Sequence, residues 1–275
     1  MIPQVLEVAS RTDPGRVRPF NEDSVAVDAN SGIAALADGM AARRGADIAS
    51  RLATTQLLDA LRRESALPPE RTVRDAFYAV NDAIFSQAQS NPAMQGMATT
   101  LVAAWFRGDR VSIAHVGDSR LYRFREGLLE RLTIDHSFVQ EQLTAGTLTN
   151  SEARLSQSRH LVTRALGSAE AVAPDLSEHE VRPHDLYLLC SDGLHDLVDD
   201  SDIALALETL QPNLDLAATT LIAMANDRGG LDNISVVLVR VKDAHKPVTA
   251  QAPETPATTR KGFFGRLFGR STKKH

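Results

Sequence analysis

Short apolar runs, separated by polar turns, make up most of the chain. Several runs alternate apolar and polar residues or are rich in β-branched residues, and Gly, Asp or Asn bounds many of them, which is typical of β-strands. The pattern predicts strands over residues 5–10, 24–29, 33–37, 99–106, 110–116, 120–126, 186–190 and 234–241.

Three segments between these runs place apolar residues at the 3.6-residue spacing of an amphipathic helix. They predict helices over residues 46–64, 72–89 and 214–225. The helices do not alternate one by one with the strands, and tight turns such as FRGDRV and FREGLL join consecutive strands. This order favours an α+β fold, with antiparallel sheets and helices outside, over βαβ repetition. Periodicity alone does not choose among the arrangements of that class.

Two parts of the chain depart from this pattern. Residues 138–160 are polar and lie between strand blocks, so they predict an insertion over one end of the sheets, where binding loops usually lie. Residues 244–259 are rich in Pro, Ala and Thr and predict a flexible linker. We therefore expect one folded domain over residues 1–243, then the linker, then a basic amphipathic tail over residues 260–275.

The tail, RKGFFGRLFGRSTKKH, carries six basic residues and no acidic one. Its apolar residues Phe263, Phe264, Leu267 and Phe268 would share one face of a short helix. One interpretation is weak docking to a membrane or an anionic protein, since a short basic amphipathic segment binds such surfaces only marginally by itself. The other interpretation is a disordered, solubilising end.

Charge is unevenly distributed along the 275 residues. The whole chain has a net charge of −5, but residues 1–243 carry 23 basic and 34 acidic residues, a net charge of −11. An acidic body argues against nucleic acid as a partner and suits one that binds cations. The single cysteine, Cys190, excludes an intramolecular disulfide and a thiolate metal cluster. The absence of a signal-peptide pattern and of a long apolar run predicts a cytoplasmic protein.

Acidic residues stand where several apolar runs end or begin. Taken singly, each is best explained as a turn or helix-cap residue. If the strand ends converge, however, the carboxylates would repel one another unless a multivalent cation lay among them. The residues concerned are Glu22, Asp23, Asp38, Asp118, Asp192 and Asp232.

The chemical type of the candidate ligand atoms indicates which metal would bind. Carboxylates and backbone carbonyls suit Mg²⁺ or Mn²⁺, whereas the eight histidines show no HExxH zinc pattern. Two such cations about 4 Å apart can activate a water and stabilise an in-line displacement at phosphorus. The sequence has neither a GxSxG elbow nor a Walker A motif that would supply another mechanism. Arg18 is a candidate phosphate clamp, with an ordinary surface arginine as the alternative.

Seven motifs extend this picture, in the order GRVRPFNEDS (15–24), ALADGM (35–40), MATTLVAA (97–104), HVGDSRLYRFREGLLERLTIDHS (115–137), LVTRALG (161–167), LLCSDGLHDLV (188–198) and DNISVVLV (232–239). Together they resemble the metal-dependent Ser/Thr protein phosphatases, the PPM family of protein phosphatase 2C type, in its bacterial branch. The resemblance spans residues 5 to about 241. It implies a four-layer α-β-β-α sandwich with metals at one end and a mobile flap at residues 138–160.

The resemblance also implies roles for the acidic residues. Asp38 would bridge two metals, and the carbonyl of Gly39 would bind the second. Asp192 and Asp232 would complete the first site.

The remaining residues of the motifs have implied roles as well. Glu22 and Asp23 would hold the second metal and its waters, and Asp118 with Asp192 would hold a third. Arg18 would bind the phosphate, so that Arg18 and Asp38 are the implied catalytic residues.

The implied function is hydrolysis of phosphoserine and phosphothreonine in proteins by a water that Mn²⁺ or Mg²⁺ activates. The implied partners are phosphorylated proteins and a bacterial Ser/Thr kinase that the enzyme opposes. A monomer is expected, with the tail tethering it near a membrane-bound kinase at the inner membrane face.

The sequence departs from the family pattern at Ala41 and Ala42, which replace a usual glycine pair, and at Ala98, where MGTT is usual. Met40 stands where eukaryotic members carry a histidine proposed as general acid, and bacterial members of the family commonly have methionine there. A pseudophosphatase that binds phosphoproteins therefore remains an alternative, as does a phosphatase of anti-sigma-factor antagonists.

Overall fold

A computed structural model describes residues 5–41, 44–63, 67–149, 152–153, 156, 158 and 160–242. The predicted linker and tail, together with Ala42, lie outside the described residues. Within them, no helix has the length and apolar content that a membrane span requires.

The first antiparallel sheet has five strands in the order β1-β11-β10-β7-β8. Their bounds are β1 Val5–Asp13, β7 Arg120–Arg125, β8 Leu128–Arg131, β10 Leu186–Cys190 and β11 Ile234–Lys242.

The second antiparallel sheet has the order β2-β3-β5-β6-β9, and the two-residue strand β4 pairs with β3. The bounds are β2 Asp23–Asp28, β3 Ile33–Met40, β4 Ala98–Thr99, β5 Leu101–Arg107, β6 Arg110–Val116 and β9 Asp175–Glu180.

Helices cover the outer face of each sheet. The α-helices in the described residues are α1 Ala46–Arg62, α2 Pro69–Ser90, α3 Phe138–Thr144, α4 Asp192–His195, α5 Asp200–Leu210 and α6 Leu214–Asp227, and a 3₁₀ turn spans Pro92–Met94. Buried residues of α1 and α2 pack against the second sheet, and those of α4, α5 and α6 pack against the first.

A third core lies between the two sheets. Alternate residues of the strands supply it, because successive side chains of a strand point to opposite faces. In β3, Ala34 and Leu36 belong to this inner core, whereas Ile33, Ala35 and Ala37 face the helices. The layers confirm the predicted α+β, α-β-β-α sandwich.

Several local predictions were incomplete. The predicted strand 99–106 is interrupted at Thr100, although the Thr100 N–H still donates to the carbonyl of Asp38 in the neighbouring strand β3. The edge strand Asp175–Glu180 was missed because it is mostly exposed and has no apolar alternation. The helix Asp200–Leu210 was missed as well. The first predicted helix ends two residues earlier than expected.

Candidate metal centre

Two of the predicted acidic residues lie directly opposite each other on neighbouring strands. Asp23, the first residue of β2, pairs with Asp38 of β3. Asp38 is therefore not a turn residue, since β3 continues to Met40. Like charges directly opposite in a sheet are destabilising. The pair needs either a shared proton or a cation.

Three further carboxylates come to the same end of the sandwich from other elements. Asp118 follows β6 in a turn, Asp192 begins α4 directly after β10, and Asp232 precedes β11. A cavity of about 570 Å³ opens among them. Its lining includes Arg18, Glu22, Asp38, Gly39, Asp118, Asp192 and Asp232. The fold thus brings these seven sequence-predicted residues together around one space, whereas Asp23 lies opposite Asp38 but does not line the cavity.

Burial and mutual repulsion perturb the carboxyl groups strongly. Burial raises the pKa of Asp23 to about 6 and that of Asp192 to about 7. Burial, and then the charges of Asp23, Asp192, Asp118 and Asp232, raise the pKa of Asp38 well above its usual range. Burial and the charge of Asp192 do the same to the pKa of Asp118.

Two carboxylate oxygens of the cluster have no hydrogen-bond partner in the described part of the chain. They are Oδ1 of Asp23 and Oδ1 of Asp192, and both are buried. The other oxygen of Asp23, Oδ2, accepts a hydrogen bond of 2.8 Å from Ser191 Oγ. Buried acceptors without partners are costly, and a divalent cation with oxygen preference would satisfy them. The donor set therefore fits Mg²⁺ or Mn²⁺.

Arg18 lines the cavity and reaches the cluster from the loop before β2. Its Nη2 donates to Asp232 Oδ2 over 2.6 Å, and this hydrogen bond raises the pKa of the guanidinium. Half of the Arg18 side chain remains exposed, at 51%. The guanidinium is therefore both oriented by a carboxylate and accessible from the cavity.

Asn233 holds the loop that carries Arg18 and Glu22, and sequence reasoning did not single it out. Its Oδ1 accepts from the Glu22 N–H at 2.7 Å. Its Nδ2 donates to the carbonyls of Pro14 and Phe20 at 3.0 and 2.9 Å. The only signal in the sequence was its place beside Asp232.

Thr99 and Thr100 hold the backbone of Asp38. The Asp38 N–H donates to Thr100 Oγ1 at 2.9 Å, and Thr99 Oγ1 donates to the Asp38 carbonyl at 2.7 Å. The main chain beside the central carboxylate is thereby fixed before any ligand binds.

Gly39, the residue after Asp38, has no room for a side chain. A Cβ on Gly39 would lie 2.1 Å from the carbonyl oxygen of Ala46. Ala41, by contrast, is not among the described non-glycine residues with positive φ, which are Glu126 and His184. The backbone at position 41 therefore does not require a glycine for its conformation.

Histidines near the site have distinct surroundings. His160 lines the cavity, and its Nδ1 lies 3.0 Å from Asp196 Oδ2, a pair that sequence reasoning missed. His136 is buried, and its Nδ1 accepts from the Gly117 N–H at 3.1 Å. His115 stacks on it with ring centroids 4.6 Å apart. His136 supports the turn before Asp118 and lies outside the cavity lining.

The sequence profile of the family described as protein phosphatase 2C matches residues 16–221. The chain belongs to this family. It is 42% identical over 240 residues to the serine/threonine protein phosphatase PstP of Mycobacterium tuberculosis, an alignment that covers 87% of this chain. It is 38% identical over 236 residues to the serine/threonine phosphatase stp of Listeria monocytogenes, covering 83% of this chain and 93% of that protein.

Solved structures of this phosphatase family have the same fold. A crystal structure of M. tuberculosis PstP/Ppp superposes with a TM-score of 0.82 at 40% identity, covering 86% of this chain and 99% of the other. The PstP catalytic domain in complex with two manganese ions gives a TM-score of 0.80 at 40% identity, covering 87% and 100%. The chain spans about half, 46%, of the full length of M. tuberculosis PstP. The named relatives are all phosphatases and give the pseudophosphatase alternative no support.

Proposed function

We propose that the protein is a metal-dependent phosphatase that hydrolyses phosphoserine and phosphothreonine in proteins. The observation that carries the proposal is the meeting of Asp23, Asp38 and Asp192. All three have raised pKa values, and one buried oxygen of Asp23 and one of Asp192 lack hydrogen-bond partners within the described residues. Such a cluster is a strong binding site for divalent cations with oxygen preference. The two manganese ions of the PstP catalytic domain support the same cofactor for this chain.

The proposed role of each residue is the one that the resemblance to the phosphatase family implies. We assign Asp38 to both cations, Asp192 and Asp232 to the first, and Glu22, Asp23 and the Gly39 carbonyl to the second. When bound, the cations supply water activation and neutralise charge that develops on the phosphate. Thr99 and Thr100 fix the main chain of Asp38 for this task.

Arg18 is the proposed phosphate clamp. Its guanidinium already lies in the cavity, and the hydrogen bond to Asp232 leaves further N–H groups for phosphate oxygens. A planar guanidinium can bind phosphate through two parallel hydrogen bonds. Holding the phosphate in line with the attacking water lowers the entropic part of the barrier.

A third cation between Asp118 and Asp192 is part of the proposal. Asp118 lines the same cavity, and its carboxyl group is buried beside the charge of Asp192. Calorimetric titration with Mn²⁺ should therefore give a weaker additional site, and Asp118→Asn should remove it while the two stronger sites remain.

The partners follow from the proposed chemistry. A phosphatase of this class acts on phosphoproteins and opposes a Ser/Thr kinase, and we propose that it does so in the cytoplasm as a monomer. The tail, residues 260–275, would dock it weakly at the inner membrane face. Unchanged membrane partition after deletion of these residues would contradict the docking.

The decisive experiment measures phosphate release from a phosphothreonine peptide while Mn²⁺ is titrated in, with EDTA as the metal-free control. Asp38→Ala is compared with Asp82→Asn, a matched loss of one exposed carboxylate on α2. Turnover should depend on Mn²⁺ and fall by on the order of a thousandfold in Asp38→Ala, as for loss of a major electrostatic stabiliser of the transition state. Asp82→Asn should retain it.

One result would point to the binding-protein alternative. A folded protein that binds the phosphopeptide in Mn²⁺ yet releases no phosphate at any metal concentration would contradict the enzyme and favour a pseudophosphatase.

A further inference from the structure

Two exposed leucines lie at the cavity of the proposed metal centre. Leu161 and Leu231 both line this cavity, and they are 56% and 52% exposed. They come from different parts of the chain, since Leu231 directly precedes Asp232 and Leu161 follows the predicted insertion at residues 138–160. A phosphothreonine side chain is short, so a polypeptide whose phosphate lies among the carboxylates must bring its main chain past these two leucines.

The segment that carries Leu231 is joined to a second exposed apolar side chain. Phe20, which is 75% exposed, lies in the loop before β2, and its carbonyl accepts a hydrogen bond of 2.9 Å from Asn233 Nδ2. The Arg16 N–H of the same loop donates to the carbonyl of Gly230 at 2.7 Å. These bonds hold Phe20 and Leu231 on loops that are tied together.

The segment that carries Leu161 is anchored in the same way. The Leu161 carbonyl accepts a hydrogen bond of 2.9 Å from the N–H of Phe138, the first residue of α3, which is 40% exposed. Val162, the next residue, forms a β-bridge with Ser137. Single exposed apolar residues are ordinary, but these are grouped around one opening. Because their main chain is held in place, a contact with their side chains has a low ordering cost.

The charged side chains that line the cavity already have partners or a proposed task. Arg18 donates to Asp232 at 2.6 Å, and His160 Nδ1 lies 3.0 Å from Asp196 Oδ2. The other carboxylates of the described lining are the proposed cation ligands Glu22, Asp38, Asp118 and Asp192. The surface left for the residues beside the phosphothreonine is therefore the apolar one.

We propose that Leu161 and Leu231 bind an apolar side chain of the substrate, located within about two residues of the phosphorylated one, a reach set by the extended chain length per residue. Contact would remove exposed leucine surface from water, which is favourable in proportion to the apolar area buried. The inference rests on the proposed phosphatase function and specifies its substrate class: phosphoproteins with Leu, Ile, Val or Phe close to the phosphosite.

The test uses the full chain loaded with Mn²⁺ and a set of phosphothreonine peptides. Each peptide carries one Leu, one Ala or one Glu at a single position within about two residues of the phosphothreonine. At one or more positions, kcat/KM should be about fivefold higher for Leu than for Ala, as expected for partial burial of a leucine side chain. The preference should persist in about 0.5 M NaCl, whereas salt would weaken a preference based on charge.

Substitutions assign the preference to the two leucines. Leu161→Ser and Leu231→Ser should each lower the Leu-to-Ala ratio toward one, a readout in which a general loss of activity cancels. Leu161→Lys should raise kcat/KM for the Glu peptide relative to the Leu peptide. Leu205→Ser and Leu205→Lys, at a 62% exposed leucine of α5, are the matched controls and should leave both ratios unchanged.

The outcomes separate this inference from the proposed function. Equal turnover of the Leu and Ala peptides at every position would overturn the apolar subsite while leaving the phosphatase intact, as would a ratio that stays unchanged in both serine variants. A dimer of the natural protein that both serine variants lose, measured by sedimentation, would assign the leucines to a second copy of the chain instead. If no peptide is turned over, the proposed function fails, and the affinity of the Mn²⁺-loaded protein for the Leu and Ala peptides still decides whether an apolar residue is bound here.

Discussion

Asp38 and Asp135 are both acidic residues in the interior of this protein, but their surroundings differ. Burial acts to raise the pKa of Asp135, yet the charge and hydrogen bonds of Arg120 outweigh it and hold that pKa below its usual range. Around Asp38 the neighbours are four other carboxylates, and its pKa lies well above the usual range. The protein neutralises the first carboxylate with its own side chain, whereas in the proposed function an external cation neutralises the second.

The different surroundings of Asp135 and Asp38 distinguish a charged residue that stabilises the structure from one that is available to bind a ligand. A buried ion pair that is fully hydrogen-bonded fixes the local geometry, as Arg120 and Asp135 do. A cluster of like charges destabilises the fold unless a ligand of opposite charge binds to it. Such clusters are therefore found mainly at binding and catalytic sites.

The largest expected effect concerns the paired carboxylate. Arg120→Met should lower the free energy of unfolding by about 3 kcal/mol or more, because it leaves Asp135 buried without its main partner. Urea unfolding in EDTA measures this. Arg110→Met removes an exposed pair with Glu178 at 3.3 Å and should cost less than about 1 kcal/mol. Equal losses in the two variants would contradict the contrast.

The unpaired cluster should give the metal-free protein an inverted pH dependence. Asp23 and Asp192 have folded-state pKa values of about 6 and about 7, above those of the unfolded chain. The folded state therefore holds protons that the unfolded state has lost, and stability should fall as the pH rises from about 5 to 7, by about 1 kcal/mol per pH unit. Chemical unfolding in EDTA at several pH values tests this.

Metal should reverse that trend. Because Mn²⁺ competes with protons for the same carboxylates, the stabilisation that it gives should grow as the pH rises through this range. Burial lowers the pKa values of His115 and His136, which adds an opposite slope in this range. A metal-free stability that rises between pH 5 and 7 by more than these two histidines contribute would contradict the unpaired state of the cluster.

Asp38→Asn should change the free energy of unfolding in opposite directions without and with metal. In EDTA it removes one of the mutually repelling charges, so the free energy of unfolding should rise by about 1 kcal/mol. In saturating Mn²⁺ the same variant should be less stable than the natural protein, since it has lost a ligand. Asp135→Asn should be destabilising in both conditions.

The smallest effect is expected at Ala41. Its backbone does not have the positive φ that would favour glycine, so Ala41→Gly should lower stability by no more than about 1 kcal/mol. Phosphatase activity with Mn²⁺ should stay within about twofold. A large gain of activity would mean that the alanine does impair the metal centre.

The amino-acid sequence determined the elements with strong patterns and the chemical type of the site. The strands 110–116 and 186–190 have the predicted bounds, because their apolar runs are long enough to be read locally. The acidic residues at the ends of such runs predicted a site for hard cations, and the motifs predicted the sandwich. Asp175–Glu180 escaped prediction because an exposed edge strand carries little hydrophobic signal.

Only the tertiary structure decided which charges are compensated. Asp38 and Asp135 each follow an apolar residue, and the sequence around Asp135 does not show that an arginine compensates its charge. Arg120 reaches Asp135 across 15 positions of sequence, and Asn233 reaches the Glu22 N–H across 211. The repulsion at Asp38 likewise depends on four carboxylates that separate elements deliver to one point. Whether two charged residues pair depends on the distance between them in the folded protein. The number of residues that separate them along the chain does not give this distance.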